Sequence, residues 1–153
     1  MASDVQLVRA GIESKEVVRR LLEFNAYDFS RLTGADLDRD GQFGYRLFDD
    51  YWTDPARHAF LIEVDGHIAG LVLVRQGEPS RVAEFLVLPR FRRVGIGTKA
   101  ARQAFALFPG SWEIHEIAGN DAAVEFWRRA IPVTFEESID AEGTTQRFTL
   151  TAA

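Results

Sequence analysis

The chain has 153 residues, of which 46% are hydrophobic, and its formal net charge is −5. This length suits one domain, and we expect a single domain over residues 1–153. The absence of cysteine excludes disulfides, thiolate metal sites and a covalent acyl-cysteine mechanism. The acidic balance argues against nucleic acid as a partner. The lack of a long apolar stretch or a secretory pattern argues against a membrane partner, so we expect a cytoplasmic protein.

The first third of the chain is predicted to form one strand and two helices. Val5–Arg9 alternates weakly between apolar and polar residues, and apolar residues then recur at helical spacing over residues 17–32. Gly34 is placed to end that helix. The aromatic-rich segment 42–52 has a helical period, so it predicts a short second helix.

Three strands are predicted to follow. Apolar runs at 60–64 and 67–74 flank Asp65-Gly66, and an Asp-Gly pair between two strand-like runs is typical of a tight hairpin. Residues 81–88 form the third run. It stops at Pro89, because proline cannot donate a hydrogen bond to a sheet ladder.

The last third alternates helices and strands. The predicted segments are a helix at 98–108, a strand at 111–118, a helix at 122–131 and two strands at 133–139 and 145–151. Asn120 and Asp121 precede the second of these helices as cap residues. The predicted fold class is therefore α/β in the mixed α+β sense, with the order β-α-α-β-β-β-α-β-α-β-β.

The turn after the fourth predicted strand has the composition of a phosphate-binding site. Gly95 and Gly97 let the backbone approach an anion with the unpaired N–H groups of a helix start. Arg92 and Arg93 can add charge-assisted hydrogen bonds. The whole stretch 85–112 has no acidic residue. The sequence therefore predicts a site for a pyrophosphate.

Two other nucleotide-binding motifs compete for these glycines. A P-loop is excluded because it requires G-x-x-x-x-G-K-[ST], whereas Arg92 stands five residues before Gly97 and the order that follows is Gly-Thr-Lys. A dinucleotide fingerprint, G-x-G-x-x-[GA], is matched by Gly95, Gly97 and Ala100. Residues 89–94 separate these glycines from the strand, and hairpins upstream do not build a doubly wound sheet. This fingerprint stays as an alternative.

The same residues resemble the GCN5-related N-acetyltransferase (GNAT) family over essentially the full chain. The family signature Q/R-x-x-G-x-G/A after a strand is matched by Arg92, Gly95 and Gly97. A second family feature, N-x-x-A-x-x-[FL]-[YW], is matched by Asn120, Ala123, Phe126 and Trp127. The resemblance implies a mixed, mostly antiparallel sheet of about seven strands, splayed between strands 4 and 5. It also implies an enzyme, an acetyl-CoA-dependent N-acetyltransferase in which a primary amine attacks the thioester directly.

The resemblance further implies where acetyl-CoA binds as co-substrate. The exposed backbone of the fourth strand would hold the pantetheine arm at Phe85, Leu86, Val87 and Leu88. The pyrophosphate would lie on Arg92, Arg93, Val94, Gly95, Ile96, Gly97 and Thr98. Asn120 and Trp127 would lie near the cofactor arm, although capping of the next helix explains Asn120 equally well.

Direct attack requires a base that removes the proton of the ammonium group. We rank Glu84 first, because it directly precedes the cofactor-binding backbone, and His115 second, because it lies on the next strand. A solvent-facing glutamate and a structural histidine are the simpler interpretations of the two. Many family members place a tyrosine where Trp127 stands, to protonate the departing thiolate, and an indole N–H is not acidic enough to do so. The general acid is therefore left unassigned.

The acceptor side is predicted in the region before the central sheet, where the family builds its substrate pocket. The three tyrosines of the chain, Tyr27, Tyr45 and Tyr51, lie there, and the acidic segment 36–54 favours a cationic acceptor. A calcium loop is incomplete in that segment, because leucine takes the place of its closing glutamate, so no metal is expected. The expected partner is a small-molecule or peptide amine, and exposed edge strands would allow a homodimer. A non-catalytic acyl-CoA-binding or sensor module on the same fold is the alternative function.

Overall fold

The computed structural model describes residues 4–152, which form one seven-stranded sheet with helices on both faces. The strands are β1 (Val5–Arg9), β2 (Arg57–Val64), β3 (His67–Arg75), β4 (Ser80–Val87), β5 (Gly110–Ile117), β6 (Glu136–Asp140) and β7 (Gly143–Leu150). The helices are α1 (Lys15–Thr33), α2 (Ile96–Leu107) and α3 (Asp121–Ala130). None of the helices within residues 4–152 combines the length and hydropathy of a membrane span.

The strand order creates a gap in the middle of the sheet. The order is β1-β2-β3-β4-β5-β7-β6, and β4 and β5 form the parallel pair in an otherwise antiparallel sheet. That pair has only two register partners, Ser80 opposite Trp112 and Arg81 opposite Glu113. Beyond Arg81 the two strands diverge, so the edge of β4 that faces β5 has no partner strand over residues 82–87. The predicted mixed sheet, splayed between its fourth and fifth strands, is confirmed.

The sheet separates two apolar layers. Helices α2 and α3 pack on one face, where Phe105 and Trp112 are 2% and 1% exposed. Helix α1 and a 3-10 helix, Phe48–Trp52, pack on the other, against Leu71 and its neighbours. Burial of each large apolar side chain contributes about 1.5–3 kcal/mol. We call these two sides the α2/α3 face and the α1 face.

Most predicted element ends are confirmed. Gly34 ends α1 in the left-handed conformation, with φ of 70°, as a C-terminal glycine does. Asp65 and Gly66 have φ of 51° and 80°, which are the two positive values that a type I′ hairpin needs between β2 and β3. Strand β4 ends before Pro89, and α3 ends at Ala130, two residues before Pro132.

The second predicted helix, at 42–52, is present only as the 3-10 helix Phe48–Trp52. The chain before it is irregular because glycines with positive φ interrupt it at Gly41 and Gly44. The carboxylate of Asp38 also accepts the N–H groups of Asp40 and Gln42, at 2.9 and 3.0 Å. Such local side-chain hydrogen bonds compete with helix formation.

Candidate functional site

A cradle of backbone N–H groups lies at the start of α2. Arg93 and Gly95 have φ of 67° and 84°, so the chain turns sharply before the helix begins at Ile96. Among the described residues, no acceptor is bonded to any backbone N–H from residue 93 to residue 98. A Cβ atom built on Gly95 meets nothing within 4 Å, so the concave side of the turn is open. Unpaired N–H groups at the positive end of a helix have the chemistry that binds an anion.

Some basic side chains around this cradle bind main-chain carbonyl groups of the protein, whereas others have no partner among the described residues and could bind a ligand. Arg92 donates through Nε to the carbonyl oxygen of Val87 at 2.7 Å, which ties the turn to the end of β4. Arg102 donates to the carbonyl oxygen of Ala130 at 3.1 Å and so caps the end of α3. Within residues 4–152, Arg93 and Lys99 have no hydrogen-bond or ion-pair partner. Their charges are available to a phosphate group.

The backbone of β4 leads from the cradle into the gap between β4 and β5. The side chains of Phe85 and Val87 pack toward the α2/α3 face, whereas Leu86 is buried on the α1 face. The N–H of Leu88 donates to the carbonyl oxygen of Ala69 at 2.7 Å. On the side toward β5, the main-chain groups of this segment have no register partner in the described part of the chain. This arrangement fits an extended arm with amide groups of its own, as acetyl-CoA has.

Glu84 lies on β4 beside the gap, on the α1 face. Its Oε2 accepts a hydrogen bond at 2.8 Å from Nδ2 of Asn25, a residue of α1 that is only 5% exposed. Burial raises the pKa of Glu84 to about 7, and hydrogen bonds from Tyr45 and Asn25 partly offset this effect. A carboxylate with this pKa can take up a proton near neutral pH.

A second carboxyl group, which the sequence analysis did not predict to be an acid or base, lies across the gap. Glu116 is near the end of β5, and its Oε2 accepts a hydrogen bond at 3.2 Å from Nδ2 of Asn120. Burial raises the pKa of Glu116 to about 7, hydrogen bonds from Trp127 and Asn120 lower it, and the charge of Glu84 raises it further. The signal was present in the sequence, since alternation puts Glu116 on the same face as the buried Trp112 and Ile114.

Asn120 and Trp127 occupy the predicted place, at the start and in the middle of α3. Asn120 is the N-cap residue of α3, but its side chain makes no capping hydrogen bond and instead contacts Glu116. Trp127 is 2% exposed and packs edge-on against Phe85, with ring centroids 5.0 Å apart. The tryptophan is thus a core residue whose indole reaches toward Glu116.

His115, the second-ranked base, points to the side of β5 opposite Glu116. It is exposed, and its Nδ1 lies 3.0 Å from Oγ1 of Thr145 on β7. Its neighbour on that side, Glu113, makes ion pairs with Arg81 and Arg147, at 3.6 and 3.2 Å. The contacts of His115 therefore do not include the residues around Glu84.

Two of the three tyrosines come together beside Glu84. The ring centroids of Tyr45 and Tyr51 are 6.4 Å apart, and burial together with the charge of Glu84 raises the pKa of Tyr45. The hydroxyl of Tyr51 is buried without a hydrogen-bond partner among the described residues. Tyr27 is 75% exposed on the outer side of α1, apart from this group.

Several aspartates of the acidic segment 36–54 make contacts within the fold. Asp49 pairs with Lys15 at 2.8 Å, Asp54 lies 3.5 Å from Arg57, and Asp38 holds its own turn. Within the described residues, the side chains of Asp36 and Asp40 make no ion pair or hydrogen bond. The charge available to a cationic ligand is therefore smaller than the composition of the segment indicates.

Comparisons with known proteins agree with this geometry. The model of the acetyltransferase (GNAT) family matches residues 22–131. No curated protein matches the chain. Among solved structures, an acetyltransferase from Thermus thermophilus is 18% identical and has a TM-score of 0.72, with 95% of this chain and 97% of that chain covered.

Two further solved structures have the same fold at lower identity. The PaiA N-acetyltransferase from Thermoplasma acidophilum, solved in complex with coenzyme A, is 8% identical, with a TM-score of 0.70 and coverage of 95% and 99%. The ribosomal-protein-S18-alanine N-acetyltransferase from Escherichia coli is 12% identical, with a TM-score of 0.71 and coverage of 98% and 96%. The family match over residues 22–131 shows that the chain belongs to the GNAT acetyltransferase family, with acetyl-CoA as co-substrate.

Proposed function

We propose that residues 1–153 act as a single-domain N-acetyltransferase that moves an acetyl group from acetyl-CoA to a primary amine by direct attack. The observation that carries this proposal is the position of Glu84, a half-buried carboxyl group with a pKa raised to about 7 at the edge of the open gap. An ammonium group must lose a proton before its nitrogen can attack, and a positioned carboxylate supplies that step.

In the proposed binding mode, the cradle at 93–98 holds the pyrophosphate and the free edge of β4 holds the pantetheine arm. The amine enters from the α1 face and passes a proton to Glu84. Main-chain N–H groups of β4 stabilise the negative charge that develops on the attacked carbonyl oxygen. The nitrogen–carbon bond forms as the carbon–sulfur bond breaks, so no acyl-enzyme is needed.

The acceptor would be recognised by side chains of the α1 face. Tyr45 and Tyr51 lie beside Glu84, and the unpartnered hydroxyl of Tyr51 offers a polar group toward this region. Asp36 and Asp40 on the preceding loop favour a cationic small molecule or peptide. Glu84 is preferred over His115 as the base because its carboxyl group borders the gap, whereas the ring of His115 is exposed beside Thr145.

The first test is calorimetric titration of acetyl-CoA into the wild type and into Arg93→Glu. Arg93 is chosen over Arg92 because Arg92 also holds the end of β4. We expect the substitution to weaken binding at least tenfold, since it replaces an attractive charge by a repulsive one at the phosphate site. Arg39→Glu, which makes the same charge change in the irregular loop before β2, should bind as the wild type does. Equal affinity of all three proteins contradicts the assigned site.

The second test is acetyl transfer to a panel of primary amines and peptides, followed by mass spectrometry. The proposal expects an acetylated product with at least one acceptor and no product without acceptor. Binding of acetyl-CoA with no turnover on any amine would instead favour the sensor function. NADH serves as a control ligand, and binding of NADH in place of acetyl-CoA would favour the dinucleotide fingerprint.

A further inference from the structure

The gap between β4 and β5 is bordered by two half-buried carboxyl groups that belong to different sides of the sheet. Glu84 contacts Asn25 of α1, and Glu116 contacts Asn120 at the start of α3. Both lie beyond the last register pair of the two strands, Arg81 opposite Glu113. The place where an acetyl group and an amine could meet therefore has one carboxyl group on each side.

The surroundings of Glu116 hold it in the gap. Asn120 uses its amide for Glu116 and leaves its own helix uncapped, and the indole N–H of Trp127 lies near enough to this carboxyl group to lower its pKa. Glu84 on β4 is the other ionisable group whose charge acts on it within the described residues, and no cation does. A carboxyl group with two neutral donors and no counter-charge is held in place without being forced to ionise.

We propose that Glu116 is the general acid that protonates the departing thiolate of coenzyme A. This inference rests on the proposed function, because it concerns the leaving group of the same reaction. It assigns the role that Trp127 cannot fill, since an indole N–H is not appreciably acidic. Trp127 is then a positioning residue that acts through Glu116.

The roles of the two carboxyl groups follow from the face of the sheet on which each of them lies. The phosphate cradle lies at the start of α2, so the acyl donor reaches the gap from the α2/α3 face, where Glu116 lies. The tyrosines and the acidic loop lie on the α1 face, where Glu84 lies. The carboxyl group nearer the donor meets the sulfur atom, and the one nearer the acceptor meets the amine.

The proton balance closes without another reactant. The ammonium group loses one proton to ionised Glu84, which releases it to solvent, and becomes a neutral amine. The amine nitrogen attacks the thioester carbon, a second proton passes from nitrogen to ionised Glu84, the carbon–sulfur bond breaks, and protonated Glu116 gives its proton to sulfur. Transfer of the proton from Glu84 to Glu116 restores the starting state. The sum is amide, thiol and one released proton.

The protonation of both groups near neutral pH supports this scheme. Burial raises the pKa of each to about 7, and the charge of Glu84 favours the protonated form of Glu116. Two interacting acids titrate as a pair, so at pH 7 a large fraction of molecules has one carboxyl group ionised and the other protonated. The reaction requires the form of this state in which Glu84 is ionised and Glu116 is protonated.

The first test does not depend on the acceptor. Carboxyl ¹³C NMR of the wild type, with signals assigned by comparison with Glu84→Gln and Glu116→Gln, follows the titration of both groups. We expect two steps near pH 7, and a lower apparent pKa for Glu116 in Glu84→Gln, because a negative neighbour has been removed. Titration of Glu116 near the ordinary glutamate value of about 4.5 would overturn the acid role, since the group would then be ionised throughout.

The second test is kinetic and uses Glu116→Gln with Glu113→Gln as the control on the same strand. We expect Glu116→Gln to lower kcat about 100-fold, the lower end for loss of general acid catalysis, with the Kd for acetyl-CoA changed less than threefold. The fall of kcat at high pH should disappear in this variant only. An active wild type with an equally active Glu116→Gln refutes the acid role alone. A wild type that transfers acetyl to no amine refutes the proposed function as well.

Discussion

The two sides of the candidate site are built in different ways. On the α2/α3 face, the cradle at 93–98 is one short segment whose backbone N–H groups are the proposed binding groups, and Arg92 beside it ties the turn to the end of β4. On the α1 face, Asn25 and Glu84 are brought together from positions 59 residues apart, and the functional groups are side chains. The donor side thus depends on the shape of one turn, and the acceptor side depends on the packing of α1 against the sheet.

This difference predicts different responses to substitution. The cradle should tolerate most side-chain changes except those that alter its backbone or reverse the charge of Arg93, because main-chain groups make most of the proposed contacts. The α1 face should be sensitive to single polar groups, because each one sets the charge state of its neighbour. If side-chain substitutions on the two faces had equally large effects, this predicted difference between the two sides would be wrong.

The largest expected effect is on the chemical step on the α1 face. Glu84→Gln removes the proposed base and keeps the size of the side chain, so kcat should fall about 10²- to 10⁴-fold, the usual contribution of general base catalysis. Steady-state assays with acetyl-CoA and the best acceptor measure kcat. The Kd for acetyl-CoA should stay within about threefold of the wild type, since an uncharged side chain at this position would not alter the cradle.

Glu63→Gln on β2 is the matched control, and it should keep the wild-type rate. Loss of acetyl-CoA affinity together with kcat in Glu84→Gln would show that the two sides are not separable. A kcat within threefold of the wild type would remove Glu84 as the base.

The next largest effect concerns stability, and its sign follows from the raised pKa values. The folded protein holds the proton of Glu84 up to a pKa of about 7, whereas an unfolded glutamate releases it near 4.5. The folded state therefore binds more protons between these values, and its stability falls as the pH rises through this window. Glu84→Gln removes that loss, so relative to the wild type it should gain up to about 3 kcal/mol of unfolding free energy from pH 4 to pH 8.

Urea unfolding at pH 4, 6 and 8 measures this difference. The gain should be absent at pH 4, where the wild-type carboxyl group is protonated in both states. Glu136→Gln, on the exposed strand β6, should show no such pH-dependent gain. If the unfolding free energies of Glu84→Gln and the wild type differ by the same amount at all three pH values, Glu84 is not buried in the folded protein in solution.

The contrast between the two sides also explains what the sequence could predict. The glycine turn, the hairpins and the splayed sheet depend on local signals or on family motifs, and their places are confirmed by the structure. The pairing of Asn25 with Glu84, and of Asn120 with Glu116, depends on how α1 and α3 pack. Periodicity indicates which residues face the sheet, but it does not show which distant side chain each one meets.

The differences between the predicted and the observed structure have local causes. The helix expected at 42–52 gives way to a 3-10 helix because Gly41, Gly44 and the Asp38 turn favour irregular backbone. Glu116 was not predicted to be an acid or base because a carboxylate on an apolar face gives no catalytic motif. The roles of Arg92 and Arg102 in tying main-chain carbonyl groups could not be separated from phosphate binding by composition alone.

On the donor side, the sharpest test changes the backbone of the cradle. Gly95→Val forces a β-branched residue to a φ of 84° and places its side chain in the open concave space. We expect the Kd for acetyl-CoA to rise at least tenfold, because the N–H groups and the anion no longer meet. Left-handed strain costs roughly 1–2 kcal/mol of stability by itself. Calorimetry and thermal unfolding measure the two quantities.

Gly34→Val is the control for strain, since Gly34 also has positive φ and open space around its Cβ position. It should lose similar stability but keep the wild-type affinity for acetyl-CoA. If both variants lose affinity equally, the loss reflects general destabilisation and the cradle is not the binding site.

The smallest expected effect is a shift in the pH dependence of the rate, and this shift differs between the two sides of the site. Asn25 donates to the carboxylate of Glu84 and so lowers its pKa. Asn25→Ala should therefore raise that pKa and move the low-pH limb of kcat/KM upward by up to about one unit, the size of one hydrogen bond to a charged group. Asn120→Ala removes the corresponding donor of Glu116 and should move the high-pH limb of kcat upward instead. Because a structural defect would lower rates at every pH, only separate shifts of the two limbs can assign the base to the α1 face and the acid to the α2/α3 face.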